Sequence, residues 1–247
     1  MKSSRTSGEF AAAFFDFGGT LYSYQVPGLS LRYVLQEAIG RLGIDASRQE
    51  LRDAYLLASR AANLEFAPRP YYLHRELFED TYRRFAEALG GKPELELLRW
   101  CCEQQRQRVL ENFELRPDCV DTIETLRGAG LHVSIVSNID DDYLDPMVER
   151  AGLDRLLDAW TSSEEAGSCK PDPKIFHHAL AKAGCEAGAV LFIGDSIEAD
   201  VAGGRTLGMT TVLIREAGSP AFPASSLPEP HHVIENLGEV LRIAGVS

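Results

Sequence analysis

Long apolar runs are missing from this 247-residue chain. No stretch approaches the ~18 apolar residues that a membrane span needs. The polar start Met1-Lys2-Ser3-Ser4-Arg5 is not followed by an apolar run long enough for a signal peptide. Cysteine is sparse and odd in number: five, at 101, 102, 119, 169 and 185, with no C-x-x-C pair and no zinc-finger spacing. The expectation is a cytoplasmic chain with reduced thiols. Basic residues are outnumbered, 25 Lys plus Arg against 37 Asp plus Glu, for a net charge of −12. No Lys/Arg-rich run offsets that balance, so neither nucleic acid nor a membrane is an expected partner. Internal repeats and low-complexity segments are absent as well.

The chain does have the material for a substantial core, being 45% hydrophobic and 25% charged. Its length allows one domain with an insertion or two small ones. Residues 11–15, Ala-Ala-Ala-Phe-Phe, form a short apolar run that stops at Asp16 and Gly18-Gly19, the pattern of a strand buried on both faces followed by a turn. From Leu31 the period becomes helical, with Leu31, Val34, Leu35, Ala38, Ile39 and Leu42 on one stripe. Ser47-x-x-Glu50 is a capping box opening a second helix with Leu51, Ala54, Tyr55 and Ala58 inward. Pro68 and Pro70 interrupt it, and two further helices are expected at about 73–89 and 94–111.

After Pro117 helix and strand alternate. The pattern predicts helices at 118–129, 142–151, 172–183 and 197–206, and strands at 131–136, 158–161, 189–193 and 210–214. Such alternation implies a parallel sheet with helices on both faces. Four prolines between 218 and 230 mark a surface loop ahead of a last helix near 236–244. An all-helical block therefore interrupts an α/β domain after its first strand.

In an open parallel sheet, ligands bind beyond the carboxyl ends of the strands. There the sequence places Asp16-Phe17-Gly18-Gly19-Thr20-Leu21, Ser137-Asn138-Ile139-Asp140 and Gly194-Asp195 through Asp200. Lys170 stands ahead of a helix in Lys170-Pro171-Asp172-Pro173. Carboxylates can hold Mg2+, a hard ion that prefers oxygen ligands. The ion and Lys170 would neutralise an anionic group, Ser137 with loop amides would hold its oxygens, and a carboxylate could attack as nucleophile.

These four motifs, in this order, resemble those of the haloacid dehalogenase superfamily of mostly Mg2+-dependent phosphatases, and the likeness covers nearly the whole chain. The resemblance implies a Rossmann-like α/β core from residues 9–23 and 113–247, and a helical cap from 24–112. It implies that Asp16 is the nucleophile and that Asp16, the Gly18 carbonyl and Asp195 ligate Mg2+, with Asp200 in or beside that shell. Ser137 and Lys170 would hold the transferred group, Thr20 would support the first loop and Asn138 would orient the site. The substrate implied is a small phosphorylated metabolite.

One position departs from the family. Its phosphatases carry a second Asp two residues after the nucleophile, which protonates the leaving oxygen and then activates water; here that position is Gly18. Loss of a general acid/base typically costs ~10²–10⁴-fold in rate. Low-pKa leaving groups such as acyl phosphates would tolerate the change, or Asp140, Asp141 or His74 would substitute. The Asp140-Asp141-Asp142 run has a simpler reading as an acidic helix N-terminus. Phosphonate hydrolysis would need a cap lysine, and the single lysine between 24 and 112 is Lys92, in a Gly-Gly-Lys-Pro turn. Dehalogenation needs neither acid nor metal, and Arg32 or Arg69 would then bind the carboxylate. A member that only binds a phosphorylated ligand or a partner protein is the non-enzymatic alternative. Tyr71, Tyr72 and His74 fall where the family selects substrate, though aromatic packing explains them equally well. His177-His178 and His231-His232, read as helical neighbours about 100° apart, do not form chelates. Cys101-Cys102 reads as packing on a cap helix.

Overall fold

A computed structural model describes residues 10–23, 28–215 and 227–246. The expected N-terminal lead-in and the loop prolines Pro220 and Pro223 lie outside these residues. By contacts the chain divides into two compact units, Met1–Ser23 with Leu115–Ser247, and Tyr24–Glu114.

The first unit is built on strand β1 (Ala12–Phe15), every residue of which is buried, as the apolar run requires. After the second unit the chain continues through α5 (Cys119–Gly128), β2 (His132–Ser137), α6 (Asp141–Arg150), β3 (Ala159–Ser162), α7 (Ser163–Ala166) and α8 (Pro173–Ala183). It ends through β4 (Val190–Gly194), α9 (Gly203–Thr206), β5 (Thr210–Ile214), β6 (His232–Ile234) and α10 (Glu239–Ile243). All strand pairs are parallel, in the order β3-β2-β1-β4-β5-β6. From β1 the chain adds strands on one side and from β4 on the other. The switch between those neighbours opens a crevice at their carboxyl ends. One face of the sheet buries Phe14, Val136 and Phe192 against Ile175, Phe176 and Ala179 of α8. Each such large side chain contributes roughly 1.5–3 kcal/mol.

Three local expectations needed correction. The strand β6 was not foreseen: only three residues long, and following a proline-rich stretch, it has too few positions to display a period. His232 opens that strand rather than sitting on a helix. The expected helix 197–206 is a π-type turn over Ile197–Ala202 before α9, a widening that occurs where Asp200 is drawn into the site described below. The last helix is shorter than expected.

The second unit holds α1 (Gly28–Arg41), α2 (Arg48–Phe66), α3 (His74–Ala88) and α4 (Leu95–Asn112). The α1 stripe, Val34, Leu35, Ala38 and Ile39, packs with Leu51, Ala54 and Ala58 of α2, Tyr82 and Phe85 of α3, and Leu98 and Cys101 of α4. The Ser47–Glu50 capping box forms in both directions. Burial pushes the Cys101 and Cys102 thiols up to about 12, so both are packing groups. Tyr72 lies between Phe66 and His74, with ring centroids 5.3 and 4.9 Å away. No helix among the described residues is long and apolar enough to cross a membrane.

Candidate active site

The crevice gathers its residues from separate segments of the first unit. Asp16 follows β1 directly, and its backbone N–H donates to Ile193 O of β4 at 2.8 Å. Asp195 follows β4, and Ser137 ends β2. Asp16, Ser137, Lys170, Thr20 and Asp200 are buried, whereas Asp195 is exposed at the rim.

Lys170 is the centre of the arrangement. Its ammonium donates to Asp16 Oδ1 at 2.7 Å, Asp200 Oδ1 at 2.7 Å and the Val136 carbonyl at 2.8 Å, which uses all three of its protons. Burial alone would lower the lysine's proton affinity. The two carboxylates outweigh it and hold the pKa above the ordinary lysine value. Asn138 fixes the backbone of the same residue: its Nδ2 donates to Lys170 O at 2.9 Å and its Oδ1 accepts from Lys170 N at 2.6 Å.

Asp16 Oδ1 also accepts from Ser137 Oγ at 3.2 Å, while Oδ2 receives the longer Thr20 hydroxyl contact at 3.4 Å. Asp200 Oδ2 accepts the Ser196 N–H at 3.0 Å. One carboxylate oxygen from each of Asp16, Asp195 and Asp200 lies within 4.8 Å of the others. Three carboxylates facing one ammonium leave a surplus of negative charge. Loss of water around its carboxyl raises the pKa of Asp195, and repulsion from Asp16 and Asp200 adds to that. The Asp200 carboxyl is raised mainly by burial, against the lowering effect of Lys170. An all-oxygen donor set with excess charge fits a hard divalent cation.

The loop after β1 is held tightly. The N–H groups of Thr20 and Leu21 turn back to Phe17 O, and Gly19 takes a left-handed φ of 80°. Arg116, which no local pattern singles out, donates to Thr20 O and Gly19 O, both at 2.9 Å. None of these bonds uses the Gly18 carbonyl. Gly18 itself is not among the left-handed glycines.

The other candidate acids have partners or neighbours of their own. Asp140 is buried at the N-cap of α6, and Asp141 accepts from Ser162 Oγ while its N–H donates to Glu164 at 3.0 Å. Asp140 and Asp142 cluster with Glu164, an acidic helix start of the kind the dipole favours. His74 and Lys92 belong to the helical unit, as does Arg69, which pairs with Glu65 at 3.1 Å.

The sequence pattern of the hydrolase family described as haloacid dehalogenase-like hydrolase matches residues 10–208. A ribulose-1,5-bisphosphate 5-phosphatase from Halopiger xanaduensis is 27% identical over 93% of this chain and 97% of its own length. The (S)-2-haloacid dehalogenase 4A of Burkholderia cepacia is 32% identical over 50% of this chain and 52% of its own. Among solved structures, the HAD-hydrolase YfnB from Bacillus subtilis, bound to magnesium, superposes with a TM-score of 0.76 at 19% identity, covering 96% of this chain and 99% of the other. The chain belongs to the haloacid dehalogenase-like hydrolases.

Proposed function

We propose that the protein hydrolyses a small phosphorylated metabolite through Asp16. The observation that carries this reading is the Lys170 ammonium shared at 2.7 Å by Asp16 and Asp200, with Asp195 at the same rim. Oδ1 of Asp16 accepts from Lys170 and Ser137, so Oδ2, with the longer Thr20 contact, is the less hydrogen-bonded and therefore the more nucleophilic oxygen. Its attack on phosphorus expels the leaving oxygen and forms an aspartyl phosphate, which water then cleaves. Ser137 and Lys170 balance charge on the transferred group. Mg2+ held by Asp16, Asp195, the Gly18 carbonyl and Asp200 would supply further neutralisation of the phosphoryl oxygens. The whole-length likeness to a sugar-bisphosphate phosphatase supports the substrate class. In this reading the helical unit acts as a substrate-selecting cap and the protein works in the cytoplasm.

Gly18 favours one second reading, hydrolysis of a 2-haloacid, which needs no general acid; the dehalogenase relative matches over half of this chain. A single screen distinguishes them. Acyl phosphates, phosphomonoesters, a phosphonate and a 2-haloacid are incubated with and without Mg2+. Phosphate release that requires Mg2+ and is abolished in Asp16→Asn supports the phosphatase. Halide release independent of Mg2+ supports the dehalogenase. Turnover of none of them would leave a ligand-binding protein.

A further inference from the structure

A second charged cavity lies at the opposite end of the sheet. It encloses about 530 Å³ and is lined by Phe10, Thr210, His231, His232, Arg242 and Ile243. Thr210 and His232 are the first residues of β5 and β6, whereas the active-site loops follow the last residues of β1 and β4. At ~3.3 Å per residue, a five-residue strand separates the two ends by roughly 15 Å. The volume lies within the ~300–1,000 Å³ range of small-molecule sites.

Its charge is unexpected in a chain of net −12. Among the described residues, no carboxylate forms an ion pair with Arg205, Arg242, His231 or His232. The neighbouring Glu239 accepts the N–H groups of Glu235 and Asn236 at Oε1, at 2.9 and 3.1 Å, and offsets part of the Arg242 charge from beyond ion-pair distance. His231 adds a surplus of donors. Its Nδ1 lies 2.9 Å from the Thr211 N–H and its Nε2 lies 2.9 Å from Arg205 Nη1. A neutral imidazole has one accepting nitrogen. With Nδ1 accepting from Thr211 N–H, the proton sits on Nε2 and meets the Arg205 guanidinium donor to donor, which an anionic acceptor would relieve; in the other tautomer Thr211 Oγ1, 3.2 Å away, accepts from Nδ1. Phe10 and Ile243 supply an apolar wall beside these polar groups.

We propose that this cavity binds a small phosphorylated molecule with a flat aromatic part, of nucleoside monophosphate type. The phosphate is held by Arg242 and the His232 imidazole, with His231 beside them, and the ring lies against Phe10. The site is independent of the chemistry proposed for Asp16, which follows the carboxyl end of β1 at the other end of the sheet.

That separation makes histidine the reporter. Protein labelled with 15N-histidine is titrated with AMP, adenosine or inorganic phosphate in the presence of EDTA. The imidazole signals of His231 and His232 should shift saturably with AMP, at least ~10-fold more tightly than with phosphate or adenosine alone. Arg242→Gln and His232→Gln, both at exposed positions, should each weaken AMP, the former by ~10-fold or more. Asp16→Asn should bind AMP as the wild type does. No shift up to ~10 mM AMP, where only very weak affinity is left, overturns the proposal. So do equal affinities for AMP and phosphate, unchanged binding in both cavity variants, or loss of the shifts in Asp16→Asn.

Discussion

A β-carbon at Gly194 would overlap the carboxyl of Asp200. The glycine is there because β4 must end close enough to the following turn for Asp200 to reach Lys170, 2.7 Å away. A φ in the left-handed region is not involved, since Gly194 is not among the residues with positive φ.

Gly194→Ala should therefore displace Asp200 and leave Lys170 short of one partner. Overpacking of a filled site costs about 1–3 kcal/mol. Urea denaturation should show a loss of that size, and calorimetry should show weaker Mg2+ binding. Wild-type values in both would mean that the turn at 197–202 yields without disturbing Asp200.

Lys170→Met removes the ammonium that pairs with Asp16 and Asp200 beside Asp195. Breaking a buried pair by removing one partner costs about 3–5 kcal/mol, because the remaining charge is left uncompensated. The variant should melt well below the wild type in EDTA and recover part of the difference with Mg2+. Lack of recovery would count against a cation among Asp16, Asp195 and Asp200.

Much of this was legible in the sequence for identifiable reasons. The α1 stripe and the Ser47–Glu50 box are local patterns, and local patterns set local structure. Asp16, Ser137 and Asp195 follow directly from recognising where apolar strands end, since strand ends converge in a parallel sheet. What was not legible depends on distant pairs. Arg116 holds the Gly19 and Thr20 carbonyls across 97 and 96 residues, and nothing near Arg116 signals it. The mutual amide contacts between Asn138 and Lys170 span 32 residues and form through backbone atoms that every residue has. β6 is too short to show a period. Gly18 is the reverse case: its importance is visible as a missing side chain, and geometry adds that its backbone is not left-handed.

The crowded carboxylates predict a pH dependence. In the metal-free protein Asp195 is raised to about 7, above the unfolded carboxylate value of ~3.9. The folded state thus binds more protons than the unfolded one between those values. The stability this contributes is complete below ~3.9 and is lost as pH rises towards about 7. In EDTA, Asp195→Asn should flatten that decline and melt higher than the wild type near neutrality. Mg2+ should raise the melting temperature of the wild type more than that of the variant. A parallel pH profile for the two proteins in EDTA would show that the repulsion is already relieved by solvent.

The missing acid can be put back. Gly18→Asp introduces a carboxyl two residues after Asp16, where the family's phosphatases protonate the leaving oxygen. Gly18 does not adopt a left-handed φ, in contrast to Gly19 at 80°, so its backbone does not demand glycine. The metal ligand expected from this residue is its carbonyl oxygen, which the substitution retains. If the proposed phosphatase chemistry is right, wild-type activity should rise steeply as the leaving-group pKa falls, because an alkoxide needs a proton that glycine cannot give. The variant should gain on alkyl phosphates by up to ~10²-fold and little on acyl phosphates, so the dependence on leaving group should flatten. The gain should require Mg2+ and vanish when Asp16→Asn is added. A folded variant that binds Mg2+, directs the new carboxyl towards the substrate in a crystal structure and still hydrolyses no phosphoester would remove the weakened-phosphatase reading, because that reading attributes the weakness to the missing acid alone.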